Sequence, residues 1–172
     1  ILGVQNLNDI MREILNPDGC PIAGPGGFRI GDKVMQIRNN YDQDVFNGDV
    51  GRIESVGTDG RIHIRFGNRR IAYLPEWMDQ ITAAFATSIH KSQGSEYPAV
   101  VIPIHTQHFV MLRRQLLYTA VTRGKRMVVI VGSTRALALA VRNSDEDARF
   151  TLLKERIRKL AESRNTSRVK PV

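Results

Sequence analysis

The run Ser88-Ile89-His90-Lys91-Ser92-Gln93-Gly94-Ser95-Glu96 gathers three hydroxyls, an imidazole, an ammonium, an amide and a carboxylate. It leads directly into the apolar Val100-Val101-Ile102. Ser88, His90, Lys91 and Ser92 are suited to phosphate oxygens, whereas an ionised Glu96 only accepts hydrogen bonds and suits sugar hydroxyls. Gly94 permits a backbone geometry or a close approach that a side chain would block. The plainer alternative is a well-capped turn with a solvated lysine. A second stretch, Gln115-Leu116-Leu117-Tyr118-Thr119-Ala120-Val121-Thr122-Arg123-Gly124-Lys125-Arg126, places an arginine just before a glycine. Arg123 there either meets the negative end of a helix dipole or contacts a transferring phosphoryl group.

These residues need elements to hold them. Val4, Leu7, Ile10, Met11, Ile14 and Leu15 fall near helical spacing and predict a short opening helix, stopped by Pro17 and Gly19. The next segment, PDGCPIAGPGGF, reads as a linker or long loop. Short strands are expected at Lys33–Arg38, Asp49–Val56, Arg61–Phe66 and Arg69–Leu74, separated by turn signals. In RIHIRF, Ile62, Ile64 and Phe66 face one way and Arg61, His63 and Arg65 the other. Strands so short and so closely linked suggest a small SH3-like barrel. From Thr82 the grammar changes. Thr82–Ile89, Ala99–Ile104 and Met127–Val131 read as buried strands, the last of the parallel type. Leu112–Thr122, Ala136–Val141 (capped by Ser133 or Thr134) and Asp145–Glu162 read as helices, with Leu112, Leu116, Leu117, Ala120 and Val121 burying one face. The fold class expected is α/β, interrupted by the small barrel.

Composition sets the surroundings. The chain has 172 residues, 42% of them hydrophobic, enough for a real core. One cysteine, Cys20, excludes an internal disulfide and argues against a cysteine-built metal site. No apolar run approaches the ~20 residues that span a bilayer. No secretory signal opens the sequence, so no membrane partner is expected and the cytoplasm is the default location. A net charge of +8 attracts polyanions, nucleic acid above all. Part of that excess, Arg164, Arg168 and Lys170, lies in the tail.

Three stretches in order resemble one family. SIHKSQGSEYPAVVIP resembles motif V, and LLYTAVTRGKRMVVIVG motif VI, of superfamily 1 DNA helicases. GDKVMQIRNNYDQDVFNGDVGRI is similar to the SH3-like insert that precedes motif V in the RecD-like branch, and LGVQNLNDIMREILNP resembles the segment after motif IV there. The resemblance implies a RecA-like second motor domain, 2A, over residues 1–27 and 80–172, interrupted by an SH3-like insert, 2B, over residues 28–79. It implies that Ser88, His90 and Lys91 lie near the backbone of single-stranded DNA, with Gly94 and Glu96 nearer the nucleotide and Glu96 toward the ribose. It makes Arg123 the arginine finger that reaches the γ-phosphate of ATP, supported by Gln115 and Tyr118. Ser88 stands where the family often has threonine. The insert would lie along the single-strand path, with Asn40, Tyr41 and the turn Phe46-Asn47-Gly48 as DNA-contact candidates. Tyr41 would stack on a base or plug the barrel end. The row Arg61, His63 and Arg65 would touch phosphates or be a solvated face.

The family's phosphate loop and acidic magnesium site are not in these residues. No GxxxxGK[ST] occurs, and Gly124-Lys125 is followed by Arg126. Asp145-Glu146 follows Arg142-Asn143-Ser144 rather than an apolar strand. We therefore expect a piece of a longer helicase that is inactive as an ATPase alone. ATP and Mg2+ would be used by the intact protein. Its partners would be single-stranded DNA, the first motor domain of the same polypeptide and, where the intact protein works in a complex, nuclease subunits of the exodeoxyribonuclease V kind. The resemblance implies 5′ to 3′ movement and work in DNA repair and recombination. The alternatives are a Pif-type motor, a conjugative relaxase helicase, or a stand-alone nucleic-acid-binding module.

Overall fold

The computed structural model describes residues 3–24, 26–143 and 156–158. Helix α1 (Val4–Leu15) takes up the opening amphipathic run. It ends at Asn16, whose N–H donates to Arg12 O at 2.8 Å, before Pro17, which cannot continue the ladder. The segment expected to be a linker is tied down. Ile22 N donates to Phe28 O and Ile30 N to Cys20 O, each at 2.9 Å.

Five strands follow: β1 (Lys33–Gln36), β2 (Val50–Val56), β3 (Ile62–Phe66), β4 (Arg69–Tyr73) and β5 (Ile81–Ala83). They form an antiparallel sheet in the order β4-β3-β2-β1-β5, with β4 and β5 at its edges. The alternation in RIHIRF is realised, with Ile62, Ile64 and Phe66 buried and Arg65 exposed. Val34, Val45, Ile53 and Tyr73 join them in the core. One polar chain crosses this core. Tyr73 Oη donates to Gln36 Oε1 at 2.9 Å, and Gln36 Nε2 donates to Gln80 Oε1 at 3.3 Å. Burial, with a smaller contribution from the Asp49 charge, pushes the Tyr73 phenol up to about 12, which keeps it a donor.

The strand expected at Thr82–Ile89 is shorter than its apolar start suggested. Only Ile81–Ala83 is extended, and it pairs antiparallel with β1, so the sheet runs past the end of the expected 28–79 span. From Ser88 the hydroxyls bond to nearby backbone and turn the chain instead.

Beyond the turn, β6 (Tyr97–Ile104) and β7 (Gly124–Gly132) pair in parallel, joined by a crossover containing helix α2 (Arg114–Val121). Helix α3 (Thr134–Arg142) follows, its N-cap Ser133 accepting from Ala136 N at 3.1 Å. Ile104, Leu112, Ala136 and Ala140 make a small second core. β6 and β7 differ from the buried strands expected. Val101, Met127 and Val131 are more than half exposed, because among the described residues the pair has no further strand and α2 and α3 cover it only in part. The helix expected from Leu112 starts at Arg114; Leu112 just before it and Ala120 on it are buried as expected, while Val121 is exposed. The helix expected at Asp145–Glu162 and the basic tail lie outside the described residues, apart from residues 156–158, which are helical. Among the described residues no helix is long and apolar enough to cross a membrane.

α1 is anchored to the sheet through Asp32, which is fully buried. Asp32 Oδ1 accepts from Asn16 Nδ2 at 2.8 Å and Oδ2 from Arg29 N at 2.9 Å. Arg12 Nε lies 3.1 Å from Oδ2, a charge contact not aligned as a hydrogen bond.

Candidate functional site

Ser88 to Ser95 is a compact series of turns. Ser92 N lies 3.2 Å from both Ser88 O and Ile89 O, and Ser95 N donates to Ser92 O at 3.1 Å. Ser92 is buried, its hydroxyl donating to Ile89 O at 2.8 Å, so it supports the turn and is not free for a phosphate. Ser88 Oγ accepts from Lys91 N at 3.4 Å. His90 and Lys91 are exposed. Gly94 has φ +84°, a left-handed conformation that glycine adopts without penalty.

The approach to this turn is held by a residue that no motif marks. Asn8 on α1 is buried, and its side-chain amide pairs with the backbone of Ala86 in both directions. Nδ2 donates to Ala86 O at 2.8 Å and Oδ1 accepts from Ala86 N at 2.9 Å. The carboxamide imitates a neighbouring strand two residues before Ser88.

The two loaded stretches meet at the start of the parallel pair. Tyr97 N donates to Arg123 O at 2.8 Å, and Tyr97 is in register with Gly124. The cluster therefore sits at the amino-terminal ends of β6 and β7, rather than at a carboxyl edge. Arg123 is half-buried and forms no ion pair among the described residues. Its Nη1 donates to Ser95 O at 3.1 Å, its Nε to Thr119 O at 3.1 Å and its Nη2 to Thr122 Oγ1 at 3.2 Å. A guanidinium carries five N–H donors, so three contacts leave two uncommitted. Gly124 is required by close approach. A Cβ there would lie 2.9 Å from Met127 O.

Glu96 stands beside Arg123 and forms an ion pair with Lys125, Nζ to Oε2 at 2.8 Å. The Lys125 hydrogen bond and charge, with help from the Arg123 charge, hold its carboxyl below the ordinary range. Gly94, Glu96 and Arg123 are thus brought together, with Lys125 as a member that sequence reasoning missed. Register alone carries Lys125 to Glu96, across a separation no local pattern records. Gln115 and Tyr118 are exposed, Tyr118 at 70%.

The insert's candidates gather a short way off. Asn40 pairs with Val45 through both backbone groups, and its side chain accepts from Gln43 N at 3.1 Å. Tyr41 is 76% exposed, which rules out a plug, and meets Phe46 edge-on at 5.9 Å between ring centroids. Asn40 and Tyr41 line a cavity of about 370 Å³ with Arg38, Trp77 and Gln80. The Phe46-Asn47-Gly48 turn comes close to Lys91: a Cβ built on Gly48 would lie 3.9 Å from Lys91 O. In the row that starts just before β3, Arg61 is paired with Asp59 at 3.4 Å and Arg65 with Glu54, so that row is partly neutralised.

Comparison with known proteins falls on these same segments. A family model described as the ATP-dependent RecD-like DNA helicase SH3 domain matches residues 7–66. A second, the UvrD-like helicase C-terminal domain, matches residues 83–131, which contain both Ser88–Glu96 and Arg123. The ATP-dependent RecD2 DNA helicase of Deinococcus radiodurans is 33% identical over 158 residues, covering 91% of this chain and 22% of that protein. The RecBCD enzyme subunit RecD of Haemophilus influenzae is 30% identical over 144 residues, covering 83% of this chain and 21% of that protein. The chain spans about a fifth of the length of these curated relatives. Among solved structures, Bacteroides Pif1 bound to ssDNA superposes with a TM-score of 0.56 at 18% identity, over 94% of this chain and 45% of that one, a likeness of fold.

Proposed function

The chain belongs to the RecD-like superfamily 1 DNA helicases, of which it carries the C-terminal region, and from that premise we propose that it supplies one wall of an ATP site and part of a single-stranded DNA track. In this reading Arg123 is the arginine finger. Charge builds on the equatorial oxygens of a transferring phosphoryl group, and an arginine offered from the opposite wall stabilises it. The observation that carries the reading is the bond from Arg123 Nη1 to Ser95 O, which sets the guanidinium beside Glu96 with two donors unspent. Glu96 serves the ribose hydroxyls, and Gly94 lets the backbone approach the nucleotide.

The opposing wall, with the phosphate loop, belongs to the first motor domain of an intact helicase. The magnesium that accompanies ATP would be held on that other wall as well, by one or two carboxylates together with the phosphate oxygens. Ser88, His90 and Lys91 grip the DNA backbone, and Asn40 and Tyr41 extend the track, Tyr41 by stacking on a base. The division is a 2A motor domain, residues 1–27 and 80–172, around a 2B insert whose sheet borrows β5. ATP draws the two motor domains together and hydrolysis releases them, a population shift driven by contacts that differ between the two states. Movement is 5′ to 3′, and subunits of a nuclease complex are possible partners of the intact protein.

The test is turnover by an intact helicase containing this chain. Arg123→Ala lowers ATP turnover by about 10³-fold or more and leaves the nucleotide Kd little changed. Turnover equal to the parent's removes the finger assignment.

A further inference from the structure

The outer face of the five-stranded sheet carries a line of cations that the site described above does not use. Lys33 on β1 is the register partner of Arg52 on β2. Arg52 is the partner of Arg65 on β3, and Arg65 of Arg70 on β4. Partners directly opposite in an antiparallel sheet project from the same face, and like charges placed so are destabilising. Four in succession are a cost that the fold itself does not need. One carboxylate offsets them: Glu54 pairs with Arg65 and, at 3.3 Å, with Arg70. Among the described residues neither Lys33 nor Arg52 has an acidic partner.

A merely solvated row of charges would keep each head in water. Lys33 does not fit that description. It is half-buried, and burial together with the Arg52 charge draws its pKa below the ordinary value. The line borders a groove of about 300 Å³ lined by Lys33, Val50, Arg52, Glu54 and Arg65, with Gly51 and Gly67 in its wall.

We propose that this ladder is a second nucleic-acid contact, a strip that binds the phosphodiester backbone of a single DNA strand. Neighbouring strands of a sheet lie ~4.8 Å apart, so four of them carry charge along ~14 Å, the reach of a few nucleotides. The strip is one residue wide, which suits one backbone rather than the two of a duplex. It also points somewhere. Lys33 Nζ lies 5.7 Å from the centroid of the Tyr97 ring, and Tyr97 N bonds Arg123 O. The Lys33 end of the ladder therefore lies beside Tyr97, which follows the Ser88–Glu96 turn. The inference rests on the DNA-binding reading above, but Lys33, Arg52 and Arg70 have no part in that reading.

The test measures binding of this chain to a labelled oligothymidylate, and to a duplex of equal length, across a salt series. Each phosphate contact on a single strand adds ~0.7 to the slope of log K against log salt. The double variant Lys33→Gln, Arg52→Gln is expected to lower that slope by ~1.4. Glu54→Gln, which frees two arginines, is expected to tighten binding, a gain that misfolding cannot imitate. An unchanged slope in the double variant, with a lower slope in His90→Ala or Lys91→Ala, overturns the ladder and leaves the DNA track standing. No change in either set overturns both. A loss confined to the duplex overturns the single-strand assignment.

Discussion

Arg123 and Glu96 lie side by side yet do not pair with each other; each is held by a different neighbour. Arg123 is steadied by the Ser95 and Thr119 carbonyls, which leave its charge uncancelled. Glu96 is held by Lys125, which keeps its carboxylate ionised and turned to one side. The consequence is a pH signature. The Lys125 contact lowers the Glu96 pKa from its ordinary 4.5. A lowered carboxyl pKa means a contribution to stability that is present above about pH 4.5 and lost as pH falls through the lower, folded-state value. The pair is exposed, so that contribution is small. Carboxyl carbon shifts of Glu96, followed against pH, should show a midpoint below the ordinary value, returning toward it in Lys125→Met. Equal midpoints in both proteins would show that the ion pair is not held in solution. At this scale the motif residues were legible because their types announce chemistry, as with a hydroxyl–imidazole–ammonium run or an arginine before a glycine. Lys125 was not, because its role comes from the parallel register of β7 on β6.

The helix α1 and the turn it steadies are joined by one carboxamide. Asn8 satisfies both backbone groups of Ala86 and also donates to Val4 O at 2.9 Å. Replacing it leaves a buried or half-buried N–H and C=O without partners, which costs about 1–3 kcal/mol. Asn8→Ala should therefore lower unfolding stability by about that amount in a urea titration, and a change within error would mean that water replaces the clamp. The elements themselves were readable. α1, β1 to β4, β6, β7, α2 and α3 all occur close to where periodicity and turn residues place them, because each is specified by its own pattern of burial. β5 was not readable. The apolar run from Thr82 promised a long buried strand, but its extent was decided by pairing with β1 and by the hydroxyls that turn the chain after it. The Asn8 contact, 78 residues apart in sequence, leaves no local trace either.

The molecule combines two unequal cores. The antiparallel sheet buries a full set of apolar side chains, from Phe28 to Ile81. The parallel pair rests on a small cluster around Ile104 and Leu112, and leaves Val101, Met127 and Val131 open. Exposed faces of that kind belong to α/β sheets covered on both sides. The α/β class was legible from the order of the elements, but how far the parallel strands are covered was not, since neighbours do not appear in a strand's own sequence. The central claim is that Arg123 completes a nucleotide site shared with another wall, and acts on the transferring phosphoryl group more than on bound ATP. Only contacts that strengthen in the transition state accelerate the chemical step. The most direct measurement is the affinity of an intact helicase for ADP–aluminium fluoride and for a non-hydrolysable ATP analogue, in the parent and in Arg123→Ala. The account predicts that the variant loses affinity for the fluoride complex by about 10²-fold or more while its affinity for the ATP analogue stays close to the parent's. Equal losses for both ligands, or none for either, would contradict it.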